Sequence, residues 1–592
     1  MAQYQTLVDL IERSITLHAS RPALGTKRAD GFAFITYAEL GERIARMRAG
    51  LSQASVGPGD RVALIADNRE EWVVVAAATY GLGAQLVPMY QAQLPRDWAH
   101  ILADSGAKVV FAANDAIVQK LKKERQQLPM LQHVFTLEGD GEGSYAHLLT
   151  LGTRPVLSPA PSDVACFIYT SGTTGLPKGV ELTHANIVSN INGIHQVFSF
   201  EPNDRSLSLL PWAHSFGQVC ELYLLLSMGC SIAINDQQDA FLENLREVEP
   251  TLLFAVPRIF NKLYRVVHDQ VAGSPAFAQA LFRDGIRLAL DKLHHKPLKL
   301  LSRVELALSD KLVFAKVRAK FGGRLRYAIS ASATLGSEVA EFVQALGITV
   351  YEGYGLTETS PIVSSNYPGN QKLGSVGKPI PEVRVVIDTR VSSDAKSGEI
   401  IVYGPNVMRG YHNLPGETRG ALTDDGGLRT GDLGYLDEDG YLFITGRIKE
   451  QYKLENGKYV MPAPLEEQLK LSPLIANVII YGDNRAYNVA LVVPDGPALL
   501  ERAAQAGVAA DSVSDSPALR RIVQQEIDRL AADFRGYERL RKCALLSEDF
   551  SCENGLLTPT LKLKRKAVVA CHQDKLNELY AEPRRAESPR AP

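Results

Sequence analysis

The sequence predicts an α/β protein with a large N-terminal domain of parallel-rich sheets flanked by helices, a β-rich subdomain within it, and a small α+β C-terminal domain. Three observations predict this arrangement. Short apolar runs alternate with helical stretches between residues 61 and 355, short strands at close spacing follow from about Gly374, and new strands and helices begin after Arg447. Strand, helix and strand in that order form a parallel sheet, whereas closely spaced strands with Gly, Pro and Asp turns are typical of antiparallel β-structure.

The elements of the first part are predicted from caps and apolar runs. Thr36 and Glu39 have the spacing of a capping box in front of an apolar-periodic helix that continues to Leu51. A second helix is predicted over 69–81. The predicted strands are 61–66, 84–89, 109–114, 166–170, 230–235, 251–256, 326–330 and 348–355. The carboxyl ends of strands in such sheets carry ligands, so the small and polar residues after these runs are candidates for a site.

The later elements follow the same reasoning. The β-rich part has predicted strands at 384–388, 399–404 and 441–446, and the C-terminal part has strands at 477–483 and 488–495, a helix at 517–534 and a basic stretch at 561–569. Residues 581–592 lack an apolar period and are predicted to be a disordered tail.

Composition excludes several classes of protein. The chain has 592 residues, 64 Lys and Arg, 66 Asp and Glu, and a formal net charge of −2, which is typical of a globular protein and argues against nucleic acid as a partner. The six cysteines show no CxxC pair and are interpreted as reduced and structural. The N-terminal residues lack the apolar core of a signal peptide, and no apolar run reaches the roughly 20 residues of a membrane span. A cytoplasmic location is therefore expected.

One long helical segment, residues 266–320, is rich in Lys, Arg and His. Charge runs usually form a solvated face, and this is the first interpretation. Peripheral contact with the inner face of a membrane is the alternative. The sequence does not determine the oligomeric state.

The densest group of candidate binding residues is the loop 169–179, YTSGTTGLPKG, which follows an apolar strand. Glycines let backbone N–H groups converge on an anion, hydroxyls add donors, and a lysine adds charge. It is not a Walker loop, because Pro177 stands where that motif requires Gly. A surface linker would not explain the lysine. The predicted phosphate-binding residues are Thr170, Ser171, Gly172, Thr173, Thr174, Gly175 and Lys178.

This loop resembles the phosphate-binding signature of the adenylate-forming (AMP-binding) superfamily, which includes acyl-CoA synthetases, firefly luciferases and peptide-synthetase adenylation domains. Further motifs follow in the order of that superfamily and span nearly the whole chain. They are PWAH at 211–214, SASATL at 330–335, YGLTE at 354–358, TGD at 430–432, GRIKE at 446–450 and LTPTLKLKR at 557–565.

The resemblance implies a role for each motif. Glu358 would hold Mg²⁺ against the triphosphate of ATP, for which its hard oxygens are suited. Thr357 would donate to the α-phosphate. The other implied nucleotide-binding residues are Ser332, Tyr354 on adenine, Asp432 on the ribose hydroxyls, and Arg447.

The resemblance also implies the reacting groups. His214 would line the acyl site; by itself it would be interpreted as structural, and its neighbour Ser215 does not indicate a hydrolase because no GxSxG motif is present. Lys178 and Lys562 would stabilise charge while the carboxylate attacks the α-phosphorus. Lys564 remains an alternative to Lys562, and a solvated basic run is the interpretation without function.

Members of the superfamily rotate a mobile C-terminal domain between two half-reactions. The resemblance implies a hinge at Lys449, with Lys453 and Gly457 in a loop brought in for the thioester step. The implied organisation is an N-terminal AMP-binding and acyl-binding domain (1–446), a hinge (447–449), a C-terminal lid domain (450–580) and the tail (581–592).

Within the superfamily, the chain is similar to long-chain fatty acyl-CoA synthetases. The similarity lies in the helical insertion before residue 310, the EGYG form at 352–355 and the spacing of 453–467. Thr334, where relatives often have Pro, and Gln218, where a gating aromatic can occur, are departures. The resemblance implies an ATP-dependent long-chain fatty acid:CoA ligase that uses ATP, Mg²⁺ and coenzyme A. The alternatives are an acyl-acyl carrier protein synthetase, a fatty acyl-AMP ligase and a noncatalytic lipid-binding protein.

Overall fold

The computed structural model describes residues 3–170, 176–237, 240–391, 396–510, 512–513, 515–558 and 562–581. The chain divides into two compact units, Met1–Thr445 and Gly446–Pro592. Ser171, Gly172, Thr173, Thr174 and Gly175 of the predicted phosphate loop, and residues 582–592 of the predicted tail, lie outside the described residues.

The strands up to residue 447 form three sheets. They are β1 (Pro22–Arg28), β2 (Gly31–Thr36), β3 (Arg61–Ile65), β4 (Gln85–Met89), β5 (Val109–Ala112), β6 (His133–Thr136), β7 (Val164–Thr170), β8 (Lys178–Thr183), β9 (Arg205–Ser208), β10 (Ser231–Ile234), β11 (Leu252–Ala255), β12 (Tyr327–Ser330), β13 (Thr349–Gly355), β14 (Ile362–Ser365), β15 (Lys378–Pro379), β16 (Arg384–Asp388), β17 (Gly398–Tyr403), β18 (Gly410–Tyr411), β19 (Leu428–Leu436) and β20 (Leu442–Arg447).

The α-helices of the first unit connect these strands. They are α1 (Leu7–Leu17), α2 (Tyr37–Gln53), α3 (Glu70–Tyr80), α4 (Pro95–Ser105), α5 (Asp115–Lys123), α6 (Tyr145–Leu148), α7 (His184–Val197), α8 (Leu224–Ser227), α9 (Phe241–Val248), α10 (Pro257–Ala272), α11 (Ala276–Leu293), α12 (Leu300–Ser309), α13 (Ala315–Ala319), α14 (Ser337–Ala345) and α15 (Pro415–Ala421). Two segments, Phe216–Tyr223 and Asp310–Phe314, are π-helical. The predicted capping box of α2 is present, because Thr36 accepts from the backbone N–H of Glu39 and Glu39 caps Thr36 in return.

The largest sheet has nine strands in the order β15-β14-β13-β12-β11-β9-β10-β1-β2. Its central strands β9 to β13 pair in parallel, with Leu253 of β11 opposite Ala328 of β12. Strands β10 and β11 are buried at every position, as expected for a parallel sheet covered on both faces. The predicted α/β class is confirmed.

A second sheet has seven strands in the order β18-β8-β7-β4-β3-β5-β6. Strands β3, β4, β5 and β6 pair in parallel, whereas β7 and β8 are antiparallel. Thr170 and Lys178 are opposite one another in this antiparallel pair. The predicted phosphate loop therefore joins two neighbouring strands rather than a strand and a helix. Strand β8 was not predicted from sequence.

The β-rich part forms an antiparallel sheet of four strands in the order β16-β17-β19-β20. This sheet agrees with the predicted change of pattern after Gly374. Strand β19 contains the TGD motif and was not predicted, because glycines and polar residues interrupt its apolar alternation.

The second unit contains its own sheets and core. Its elements are β21 (Tyr452–Lys453), β22 (Tyr459–Val460), β23 (Ile475–Tyr481), β24 (Asn488–Pro494), β25 (Leu540–Leu545), α16 (Pro462–Leu469), α17 (Gly496–Gln505), α18 (Pro517–Leu530), α19 (Arg565–Cys571) and α20 (Gln573–Tyr580). Strand β24 is antiparallel to β23 and parallel to β25. Helix α18 begins where Ser516 accepts from the N–H of Leu519, and it ends before the predicted residue 534.

The six cysteines carry free thiols, and four of them are buried. In the described part of the chain, no helix is both long enough and apolar enough to cross a bilayer.

Candidate active site

Lys178, the lysine of the predicted phosphate loop, is the first residue of β8. Its Nζ donates to Oε2 of Glu417 on α15 at 2.6 Å, and it lies 5.6 Å from the centroid of the Tyr411 ring. Thr170, opposite Lys178, is the last residue of β7. Two strand ends therefore converge at the loop.

Glu358 and Thr357 lie in a 3₁₀ turn, Thr357–Thr359, that follows β13. The hydroxyl of Tyr411 donates to Oε1 of Glu358 at 2.8 Å. Burial and the nearby charge of Glu358 raise the pKa of the Tyr411 phenol well above its usual range, so it remains a donor. Tyr411 therefore contacts both the predicted metal ligand and the predicted phosphate lysine, Lys178. Sequence analysis did not identify Tyr411.

The pairing of two strands determines the position of Tyr411 beside the phosphate loop's lysine. Strand β18 is antiparallel to β8, with Tyr411 opposite Val180. The next residue, His412, donates from Nδ1 to Oε1 of Glu181 at 2.7 Å and packs edge-on against Phe167 at 4.7 Å between ring centroids. The backbone register and the hydrogen bond between His412 and Glu181 thus fix β18 against β8.

Thr357 is buried, and its hydroxyl lies 3.2 Å from that of Ser215, which is also buried. His214 precedes Ser215, and its Nδ1 accepts from the N–H of Phe216 at 3.2 Å. The structure therefore brings the PWAH and YGLTE motifs together. The described hydrogen-bond partner of Ser215 is a threonine hydroxyl rather than a general base, which gives no support to a hydrolase.

Tyr354 and Asp432 form a second contact between distant motifs. The Tyr354 hydroxyl donates to Oδ2 of Asp432 at 2.7 Å. Asp432 lies on β19 with 3% of its surface exposed, and its N–H donates to the Thr430 hydroxyl at 3.1 Å. The residues predicted to contact adenine and ribose are therefore neighbours.

The carboxyl ends of β12 and β13 hold buried polar groups. Ser330 lies opposite Glu352, and the Ser330 hydroxyl has no hydrogen-bond partner among the described residues. Burial raises the pKa of Glu352 to about 7, against the opposing effect of a backbone hydrogen bond at Leu335. Ser332 follows with a φ of 74°, a strained conformation for serine. Buried polar groups without protein partners are expected where a polar ligand binds.

The second unit carries the remaining candidates, beginning with the C-terminal motif. Here Leu557 pairs with Leu563, the N–H of Thr558 donates to the carbonyl of Lys562 at 2.8 Å, and the Lys562 side chain is exposed. Lys564 is half-buried at the base of this turn.

Arg565 anchors the turn from within the second unit. Its Nη2 donates to Oε2 of Glu466 at 2.6 Å, and Glu466 is buried. Its Nη1 donates to the carbonyl of Ile480 at 2.9 Å. Arg565 therefore has a structural role in the second unit, close in sequence to the exposed Lys562.

The predicted hinge and thioester-step residues lie near the start of the second unit. Arg447 ends β20, and its carbonyl accepts from the N–H of Glu450 at 3.1 Å, so the exposed Lys449 lies within a turn. Lys453 is on β21. Gly457, with a φ of 82°, lies in the turn between β21 and β22, where a side chain would be strained.

Two family profiles match the chain. One described as AMP-binding enzyme matches residues 11–412, and one described as AMP-binding enzyme C-terminal domain matches residues 449–584.

Named relatives match over most of their length. Long-chain-fatty-acid–CoA ligase FadD15 of Mycobacterium bovis is 33% identical, covering 92% of each chain. The peroxisomal long chain acyl-CoA synthetase 7 of Arabidopsis thaliana is 32% identical, covering 98% of this chain and 86% of the relative. Human long-chain-fatty-acid–CoA ligase 1 is 29% identical, covering 97% of this chain and 86% of the relative.

Solved structures share the fold. The adenylation domain of a carboxylate reductase from Mycobacterium chelonae superposes with a TM-score of 0.80 at 23% identity, covering 98% of this chain and 91% of that one. The A-PCP didomain of a carboxylic acid reductase from Segniliparus rugosus, in complex with AMP, gives 0.79 at 22% identity, covering 98% and 83%.

Proposed function

The chain belongs to the AMP-binding enzyme family, and on that premise we propose that it is an ATP-dependent long-chain fatty acid:CoA ligase. It forms acyl-AMP and pyrophosphate from a fatty acid and ATP, and then acyl-CoA and AMP. The observation that carries the proposal is near full-length similarity to long-chain ligases of bacteria, plants and mammals. The convergence of distant motifs in the first unit supports the same chemistry.

In the first half-reaction, a carboxylate oxygen attacks the α-phosphorus and the bond to pyrophosphate breaks. The reactants are both anionic, so cationic side chains and hydrogen-bond donors must stabilise the charge that spreads in the transition state. Lys178 and Lys562 supply positive charge, and Thr357 donates to the α-phosphate. Tyr354 and Asp432, joined by their hydrogen bond, bind adenine and ribose, with Ser332 and Arg447 also on the nucleotide. His214 lines the acyl site.

Glu358 fits a role in holding Mg²⁺. Mg²⁺ usually takes one or two carboxylates together with substrate phosphates, so one glutamate is enough. Among the described residues there is no cluster of three or more His, Cys, Asp or Glu side chains suited to a metal. When bound, the ion would withdraw negative charge from the triphosphate. Tyr411 acts as a positioning residue, because its hydroxyl holds one carboxylate oxygen of Glu358.

The ammonium of Lys178 forms an ion pair with the carboxylate of Glu417. The carboxylate of Glu417 is about half exposed, so this ion pair contributes no more than about 1 kcal/mol. A triphosphate carries more negative charge than a carboxylate and would replace Glu417 on Lys178.

The second half-reaction transfers the acyl group to a thiol. The sulfur attacks the acyl carbonyl of the adenylate, AMP leaves, and Lys453 and Gly457 line the thioester-step site after rotation about Lys449. The exposed position of Lys562 supports its assignment over the half-buried Lys564. CoA is the proposed acceptor.

A purified-enzyme assay with palmitate, ATP and Mg²⁺ tests this function by measuring AMP and thioester with CoA, with holo-acyl carrier protein and without acceptor. Thioester with CoA supports the proposal. Thioester with the carrier protein alone indicates an acyl carrier protein synthetase, acyl-AMP alone indicates an acyl-AMP ligase, and no turnover indicates a noncatalytic protein.

A matched pair of variants controls this assay. Asp432→Asn alters the acceptor of the Tyr354 hydroxyl in the proposed ribose site, whereas Asp425→Asn alters the acceptor of the Tyr403 hydroxyl on an exposed loop. Only Asp432→Asn should lower AMP formation.

A further inference from the structure

The exposed surface of α12 and the turn after it is apolar and cationic. We call this surface the α12 face. Leu300, Leu301 and Val304 are 78%, 84% and 62% exposed, which is unusual for large apolar side chains on one short helix. The exposed residues of the face are Lys299, Leu300, Leu301, Arg303, Val304, Ala307, Leu308, Lys311 and Leu312.

Helical geometry explains why these side chains lie together. Residues 300, 304 and 308 are four apart and therefore follow one side of α12. The packed side of the helix is marked by Ser309, which is buried and donates from its hydroxyl to the carbonyl of Leu281 on α11 at 3.1 Å. Helices α11 and α12 approach closely here, because a Cβ added to Gly285 of α11 would lie 2.6 Å from the Cβ of Ser309. The leucines of the face are therefore not the contact between α11 and α12.

The charge of the α12 face is positive. Lys299, Arg303 and Lys311 are exposed among its apolar residues. The cations of the face outnumber the acidic side chains of the segment, which are Glu305 and Asp310, and Asp310 accepts from both Nη atoms of Arg318, at 2.6 and 3.1 Å. A solvated charge run, the first interpretation of this segment, would not include five large exposed apolar residues.

We propose that the α12 face docks the protein on a membrane surface that contains anionic lipids. Amphipathic helices of this kind place apolar side chains at the boundary of headgroups and acyl chains while Lys and Arg approach anionic lipids. The positive charge selects this partner over a second copy of the chain, because two α12 faces would bring like charges together. The proposal rests on exposure and charge alone and does not require the proposed enzymatic activity.

Co-sedimentation of the full chain with vesicles tests the proposal. We expect binding to vesicles of phosphatidylcholine and phosphatidylglycerol at 3:1, and at least tenfold weaker binding to phosphatidylcholine alone. Arg303→Ala with Lys311→Ala should weaken binding to the anionic vesicles by about fivefold for each cation removed. Leu301→Gln with Val304→Gln should weaken it by at least tenfold through the lost apolar insertion.

Matched variants control for general effects of charge and hydrophobicity. Lys122→Ala with Lys123→Ala removes two exposed lysines from α5, and Leu17→Gln with Met130→Gln removes two exposed apolar side chains elsewhere. Both should bind vesicles as the unaltered chain does. All variants should keep the unaltered melting temperature, because none of the residues is buried.

Three results would overturn the proposal. One is absence of binding to the anionic vesicles by the unaltered chain, and another is an equal loss in the control variants. The third is an oligomer that Leu301→Gln with Val304→Gln converts to a monomer in sedimentation velocity while vesicle binding stays unchanged. That last result would assign the α12 face to self-association.

Discussion

The hydroxyl and the ring of Tyr411 contact two charged residues that lie in different motifs. One contact is a hydrogen bond to Glu358 and the other is a cation–π contact with Lys178. A hydrogen bond to a charged group is worth about 1.5–3 kcal/mol. At the scale of the residue, we therefore expect the proposed activity to depend on Tyr411, which lies in none of the motifs.

Tyr411→Phe keeps the ring and removes only the donor to Glu358. We expect about a tenfold lower adenylation rate and a higher Mg²⁺ concentration for half-maximal rate, because the carboxylate loses its fixed orientation. Pyrophosphate release measured over a series of Mg²⁺ concentrations checks this. Tyr403→Phe is the control, since Tyr403 also donates to an aspartate and lies under an arginine, but on the surface. Equal effects in both variants would argue against a positioning role.

Lys562→Ala should separate the half-reactions, because the role proposed for this lysine is to stabilise charge only while ATP is attacked. Loss of such a contact costs roughly 3 to 4 kcal/mol, or about a hundredfold to a thousandfold in adenylation rate. The variant should still convert supplied acyl-AMP and CoA to acyl-CoA. Lys564→Ala is the comparison, and a larger adenylation defect there would transfer the role to Lys564.

At the scale of the element, the π-helical segment Phe216–Tyr223 buries a carboxyl group completely. Glu221 accepts from the hydroxyls of Ser206 at 2.8 Å and Ser208 at 2.6 Å. Burial raises the pKa of Glu221 to about 8, while these hydrogen bonds oppose the shift. The folded protein therefore binds a proton that the unfolded chain releases at lower pH.

This difference predicts a pH dependence of stability. Between the unfolded value of 4.5 and the folded value of about 8, the folded state holds more protons, so the free energy of unfolding falls as pH rises. Glu221→Gln removes the titration. Relative to the unaltered protein, its unfolding free energy should rise by roughly 3 kcal/mol from pH 5 to pH 8. Urea unfolding at several pH values measures this, and a difference between the two proteins that does not change with pH would contradict the prediction.

The turn after β20 is the element on which the proposed domain rotation depends. Lys449→Pro fixes φ near −65° and should restrict rotation, so acyl-AMP should accumulate while thioester yield falls. Acyl-AMP and acyl-CoA are measured in the same reaction, and the ratio of acyl-AMP to acyl-CoA should be higher in the variant. Unchanged acyl-CoA turnover would mean that Lys449 is not the hinge.

At the scale of the whole molecule, the proposed substrate class predicts that activity rises with acyl chain length. Each buried methylene contributes up to about 0.8 kcal/mol, so a short acid in a long acyl site loses much of its binding energy. Specificity constants for even-numbered saturated acids from acetate to stearate, below their critical micelle concentrations, test this. A maximum at acetate or butyrate would contradict the long-chain assignment and leave adenylate chemistry intact.

The sequence by itself determined the α/β class, half of the strands of the two large sheets and the motifs of the family. These features depend on local patterns, such as the capping box of Thr36 and Glu39 or the apolar run of β11, and local patterns are readable without neighbours. The chemistry of the phosphate loop is likewise visible in its residue types.

Only the tertiary structure decided which motifs meet. Tyr411 reaches Lys178 through the pairing of β18 with β8, two strands far apart in the chain. Tyr354 reaches Asp432 in a different sheet, and Tyr411 reaches Glu358 in the turn after β13. Such pairings leave no periodic signal in one sequence, and polar strands such as β19 interrupt the apolar alternation by which strands are recognised. The exposure of the leucines of the α12 face could not be predicted for a related reason. Apolar periodicity identifies one face of a helix, but whether that face is covered depends on tertiary packing.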